Sequence, residues 1–157
     1  MNTMDRMKKL LSRLDLAWRE FQDTYQGLSE MELLTPGVTG TWSIKDIIAH
    51  VTTWEVEALK HLPLILRGEK LPKYSVRYGG IDAFNAQATA NKKDLSLAEV
   101  LREQARVHQK LVDLIESIPE EHLEGKTRFC HRLRLDTYKH YQIHTAAIQK
   151  WRSARKR

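Results

Sequence analysis

The chain has 157 residues, 41% of them hydrophobic and 29% charged, a balance that excludes a disordered or membrane-embedded protein and suits one domain over residues 1–157. Its one cysteine, Cys130, excludes an internal disulfide and a thiolate metal cage, so any metal must be held by histidine and carboxylate. The net charge of +6 is uneven: residues 1–125 carry 16 Lys+Arg against 19 Asp+Glu, and the basic excess sits in two short stretches. One is Lys126, Arg128, Arg132 and Arg134; the other is Lys150, Arg152, Arg155, Lys156 and Arg157. Cations at the end of a helix suit its dipole and commonly do no more than solvate it, so removal of 152–157 should leave the fold intact. No stripe of aromatics interleaves with these cations, and no nucleic-acid partner is expected. No apolar run reaches bilayer length and no secretory h-region opens the chain, which gives the expectation of a cytoplasmic protein without a membrane partner.

Helical signals then follow one another along the sequence, and strand signals are absent. From Asp5 to about Leu28, Leu10, Leu11, Leu14, Trp18, Phe21 and Tyr25 recur at steps of three and four, the period of an amphipathic helix. After the linker LLTPGVTGTW, Ser43 and Asp46 form a capping-box pattern that opens a second helix to about Arg67. Its apolar stripe is Ile47, Val51, Trp54, Ala58 and Leu62, and Pro63 marks where it should kink or end.

Gly68–Gly80 reads as a crossover loop, followed by a shorter helix in IDAFNAQATANKK. Ser96 and Glu99 repeat the capping box and begin a strong helix that stops at Pro119. GKTRFCHRLRL reads as a basic loop, and Asp136 as the cap of a last helix facing inward with His140, His144, Ala147, Ile148 and Trp151. The sum is an all-α protein, a four-helix bundle with a long crossover connection between helices two and three.

Histidine spacing carries the chemistry. His61, His108, His122 and His131 have no partner at ligand spacing and read as surface or boundary residues. His140 and His144 stand at i and i+4, so both imidazoles point to one side at a separation a single ion can span. His50 lies on the inward stripe of helix two, one turn after Ile47. Three inward histidines are costly to bury without a shared reason, and a metal supplies one. Tyr141 stands where a zincin helix needs glutamate. Asp46 and Glu57 are candidates to support the ligands, Trp42, Trp54 and Tyr141 to shape a pocket, and Arg128 and Arg132 to bind an anionic thiol or acidic substrate.

The segments TWSIKDIIAHVTTWE and DTYKHYQIHTAAIQKWR resemble the second- and fourth-helix signatures of the DinB-like superfamily, with LSLAEVL between them. The finer resemblance, through WSIKDIIAHVTTWE, Phe84–Asn85 and HYQIHTAAIQKW, is to its ClbS/DfsB branch. That resemblance implies a bundle, often a homodimer, whose metal triad falls on His50, His140 and His144. It also implies a divalent ion, zinc or nickel, and a small-molecule substrate, with a low-molecular-weight thiol as a partner. The expected function is a metal-dependent, thiol-dependent transferase or hydrolase acting on a small electrophile. Retention of all three histidines favours the metal-dependent members; the alternative is a metal-free, ClbS-like resistance or binding protein.

Overall fold

In the computed structural model, which describes residues 3–156, the protein is all-α. Helix α1 (Thr3–Asp23) is followed by the short α2 (Glu30–Leu34) and the long α3 (Ile44–Leu66). The crossover carries α4 (Tyr74–Arg77) and α5 (Ile81–Lys92); α6 (Leu97–Glu116), a 3-10 turn (Glu120–Leu123), α7 (Arg128–Asp136) and α8 (Tyr138–Arg155) complete the chain. Among the described residues the only extended pairing is an isolated bridge between Thr39 and Trp42. No described helix is long and apolar enough to cross a membrane.

Both expected capping boxes form. Ser43 Oγ accepts from Asp46 N at 3.1 Å while Asp46 Oδ2 accepts from Ser43 N at 3.0 Å, and Ser96 with Glu99 repeats the pair. Each box meets orphan N–H groups of a first helical turn, which fixes where α3 and α6 begin. Helix α3 runs three residues past Pro63 before ending at Leu66. Its stripe of Ile44, Ile47, Ile48, Val51, Ala58 and Leu62 is fully buried, because α6, α7, α8, α5 and α2 all pack around it. Helix α1 lies against α8 and the 3-10 turn, and Phe21, Leu111, Ile115, Leu133 and Ile148 join the same core. Each such side chain withdrawn from water contributes about 1.5–3 kcal/mol before entropy is counted.

Four expectations need correction. Helix α1 ends at Asp23, and α2 follows Ser29, whose own capping box with Glu32 starts a new helix. The basic stretch is α7: Thr127 Oγ1 accepts from Cys130 N at 3.1 Å, and Phe129 and Leu133 form a buried stripe beneath the cations. Asp136 therefore ends α7 and does not cap α8; the break is at Thr137, with φ −125° and ψ −104°. Finally, the terminal cations are not idle. Arg152 Nη1 donates to Thr24 O at 2.7 Å and to Gln26 O at 3.4 Å, tying the end of α8 to the turn after α1.

Candidate metal centre and adjoining cleft

Packing of α8 against α3 brings His50, His140 and His144 together, as their spacing predicts. His140 Nε2 lies 3.0 Å from His50 Nε2 and 3.0 Å from His144 Nε2, with the rings edge to face. All the candidate donor atoms fall within 4.8 Å of one another. His50 and His144 are buried and His140 is half-buried.

A neutral imidazole has one N–H and one lone pair, so His140 Nε2 cannot satisfy both neighbours at once. Burial, then the repulsion of His144 and Lys92, pushes His50 down to about 3. Burial, then the other two imidazoles, pushes His140 down to about 2, and burial alone lowers His144 to about 4. Charging the rings therefore does not solve the packing. Three lone pairs directed at one ion would, and neighbouring Nε2 atoms 3.0 Å apart are close enough for a single ion to span. The donor set fits zinc, nickel or a similar ion and does not suit magnesium or calcium. Ligation through Nε2 leaves the ring protons on Nδ1, and those of His140 and His144 meet no acceptor among the described residues.

Beside the histidines opens a cleft of about 280 Å³, lined by His50, His140, Trp54, Tyr74, Arg132 and Asp136, with Asn85 and Ile81 reaching in from α5. Arg132 Nε donates to Asp136 Oδ2 at 2.7 Å and Nη2 donates to Tyr74 OH at 3.2 Å. Tyr74 OH donates to Glu57 Oε1 at 3.2 Å. The guanidinium carbon stands 5.8 Å from the ring centres of both Trp54 and Tyr74. Burial outweighs the pull of Arg132 and raises the Asp136 carboxyl to about 6. Burial, then the charge of Glu57, raises the Tyr74 phenol, and burial, then Arg132, lowers His61.

The structure thus gathers some of the residues singled out from sequence and disperses others. Trp54 and Arg132 line the cleft, and the Trp42 ring centre is 4.7 Å from that of His50. Glu57 reaches the cleft only through Tyr74, and Asp46 is spent on its cap. Arg128 lies apart, donating to Glu69 O at 3.4 Å. Tyr141 is fully buried and donates to Glu55. Of the histidines read as surface or boundary, His61 is instead buried against Tyr74 and Arg132, while His108 is half-buried and bonds Glu55. Tyr74 and the site role of Asp136 escape sequence reasoning, although Arg132, Asp136, His140 and His144 recur at intervals of four, a pattern that signals one continuous wall.

No curated protein matches the chain. Among solved structures, the Sibling Lethal Factor Precursor DfsB aligns with a TM-score of 0.78 at 16% identity, covering 95% of this chain and 96% of that one. An uncharacterised protein from Escherichia coli UTI89 aligns with a TM-score of 0.78 at 14% identity, over 96% and 94%. The colibactin self-resistance protein ClbS, solved in complex with double-stranded DNA, aligns with a TM-score of 0.70 at 17% identity, over 94% and 93%. At these identities the likeness speaks for the fold. The model of the DinB superfamily matches residues 13–145, and the chain belongs to that superfamily.

Proposed function

We propose that the protein is a divalent-metal-dependent enzyme of the thiol-dependent transferase or hydrolase type, acting on a small electrophilic molecule, with zinc or nickel held by His50, His140 and His144. The observation that carries this reading is the convergence of three imidazole Nε2 atoms at the head of a cleft. His50, His140 and His144 would hold such an ion, and the chemistry it would supply there is Lewis-acid activation of a nucleophile at neutral pH. Arg132, its guanidinium fixed by Asp136 and Tyr74, presents an oriented cation to an anionic group in the cleft. Asp136, raised to about 6, exchanges a proton near neutrality at its carboxylate oxygens. Trp54 and Tyr74 exclude water from the wall between them. Cys130 lines a different cleft, so the thiol is an external, low-molecular-weight one. Homodimeric assembly is carried over from the family resemblance, and sedimentation of the purified protein tests it.

Elemental analysis of protein produced with ample zinc and nickel tests the metal reading. Near-stoichiometric loading of one of them is the expected result. Protein free of both sinks it and leaves the metal-free resistance or binding reading in its place, which the fold shared with a self-resistance protein supports.

A second reading, DNA association, is favoured by one observation. Lys126, Arg128, His131 and Arg134 line a cleft of about 560 Å³ along α7 without an acidic residue among its walls, and the neighbour ClbS is solved with a duplex. These two facts weigh against the expectation of no nucleic-acid partner. Duplex binding that weakens steeply with salt, and that Arg134→Ala reduces, is the expected result under this reading; binding absent at low salt removes it.

A further inference from the structure

Glu55 is the fully buried carboxylate of the core, on α3 five residues after His50. Its Oε2 accepts from Tyr141 OH at 2.7 Å and from His108 Nδ1 at 2.7 Å, while Oε1 meets no partner among the described residues. The two donors come from different helices, α8 and α6. Trp18 of α1 covers the arrangement, stacked on the His108 ring at 3.8 Å and 5.0 Å from the Tyr141 ring. A carboxylate withdrawn from water is costly unless its hydrogen bonds hold it, and here one oxygen goes without. A core of this size has no packing need for it: a leucine or methionine fills the same volume without the penalty.

The position of the donor on α8 supplies a reason. Tyr141 follows His140 directly and precedes His144 by three residues, so the Tyr141–Glu55 bond ties together, right beside the imidazoles, the two helices that carry them. A slip or roll of α8 along α3 separates His50 Nε2 from His140 Nε2, now 3.0 Å apart. Apolar contacts between helices tolerate such shifts; a short hydrogen bond to a buried charge does not.

We propose that Glu55 is a positioning residue: through Tyr141, and braced by His108, it sets the register of α8 on α3 and thereby the spacing of His50 to His140 and His144. The proposal rests on the metal reading above.

Cobalt(II) is the probe, followed by its visible absorption and by calorimetric titration, with helicity checked by circular dichroism. Tyr141→Phe removes the tie and keeps the ring; the expected result is a Kd at least 10-fold higher and an altered cobalt spectrum, the effect typical of losing a ligand-orienting group. Tyr25→Phe is the control, since it deletes a hydroxyl from a half-buried contact, the 2.8 Å bond from Gln104 Nε2 of α6, and so removes no hydrogen bond between α3 and α8. It should leave Kd unchanged. If Tyr141→Phe does not fold, the double change Tyr141→Phe with Glu55→Gln removes the stranded charge and is titrated instead, with the same weakened binding expected. Wild-type affinity in the folded tie-less variant, or equal weakening by Tyr25→Phe, overturns the positioning role alone. Wild-type protein that takes up no cobalt overturns this proposal and the metal reading together.

Discussion

Trp54 Nε1 donates to Asn85 Oδ1 at 2.9 Å, joining the middle of α3 to the first turns of α5. That bond, with the edge-to-face contact of Trp54 on Phe84 at 5.4 Å, holds the crossover down beside the histidines. Helix α5 buries only Phe84, so few other contacts compete with it. Asn85→Ala leaves the indole N–H without its acceptor, at a cost of about 1 kcal/mol. Amide exchange across Ile81–Lys92 should quicken by about fivefold while α6 is unaffected. Unchanged exchange in α5 means the crossover is held by something else.

The imidazoles are open to a direct comparison. His144→Ala deletes one of the proposed donors and should strip most of the metal from purified protein, whereas His131→Ala, at an exposed position on α7, should leave the metal content as it was. Mass spectrometry of the two proteins, grown side by side, decides it. Equal loading places the ion elsewhere.

Asp136 gives a pH signature of unusual sign. Its folded pKa of about 6 lies above the ordinary 3.8, so between those values the folded protein holds a proton that the unfolded chain has released. Its contribution to stability is present in full below about pH 4 and is lost as pH rises through about 6. Two pKa units correspond to roughly 3 kcal/mol. Asp136→Asn cannot titrate, so the stability of wild type minus variant, from urea midpoints, should fall by an amount of that order between pH 4 and pH 7. A difference that is flat across this window shows that Arg132 fully compensates burial.

Arg152 makes the tail more than solvated charge. Arg152→Ala should cost about 1 kcal/mol in thermal or urea unfolding, because two carbonyls lose a charged donor. Lys156→Ala, at an exposed site, should fall within about 0.5 kcal/mol of wild type. Indistinguishable melting of the two variants returns Arg152 to the surface.

Much of this was legible in advance where one physical signal dominates. Capping boxes at Ser43 and Ser96 announce α3 and α6, and the i, i+4 spacing of His140 and His144 announces a shared direction. Helix α7 was hidden because Arg128, Arg132 and Arg134 outnumber the apolar positions Phe129 and Leu133 that it buries, so composition read as loop what Thr127 caps as helix. Tyr74 was hidden for a different reason: it sits in the crossover, and periodicity says nothing about where a connection lies on the surface of the helices it joins. Glu55 resembles any helical glutamate until Tyr141 and His108 arrive from elsewhere in the chain.

The crossover divides labour in the molecule. Helix α4 buries nothing and α5 a single side chain, yet Tyr74, Ile81 and Asn85 from this stretch form one wall of the cleft, while the opposite wall and all three imidazoles stand on α3, α7 and α8. One wall of the cleft and the folding core are therefore drawn from different parts of the chain. A lineage can rewrite residues 70–93 to reshape the cleft at little cost to the core, and a graft of the corresponding segment from a relative exchanges one wall of the chamber while the helices that carry its floor stay as they are.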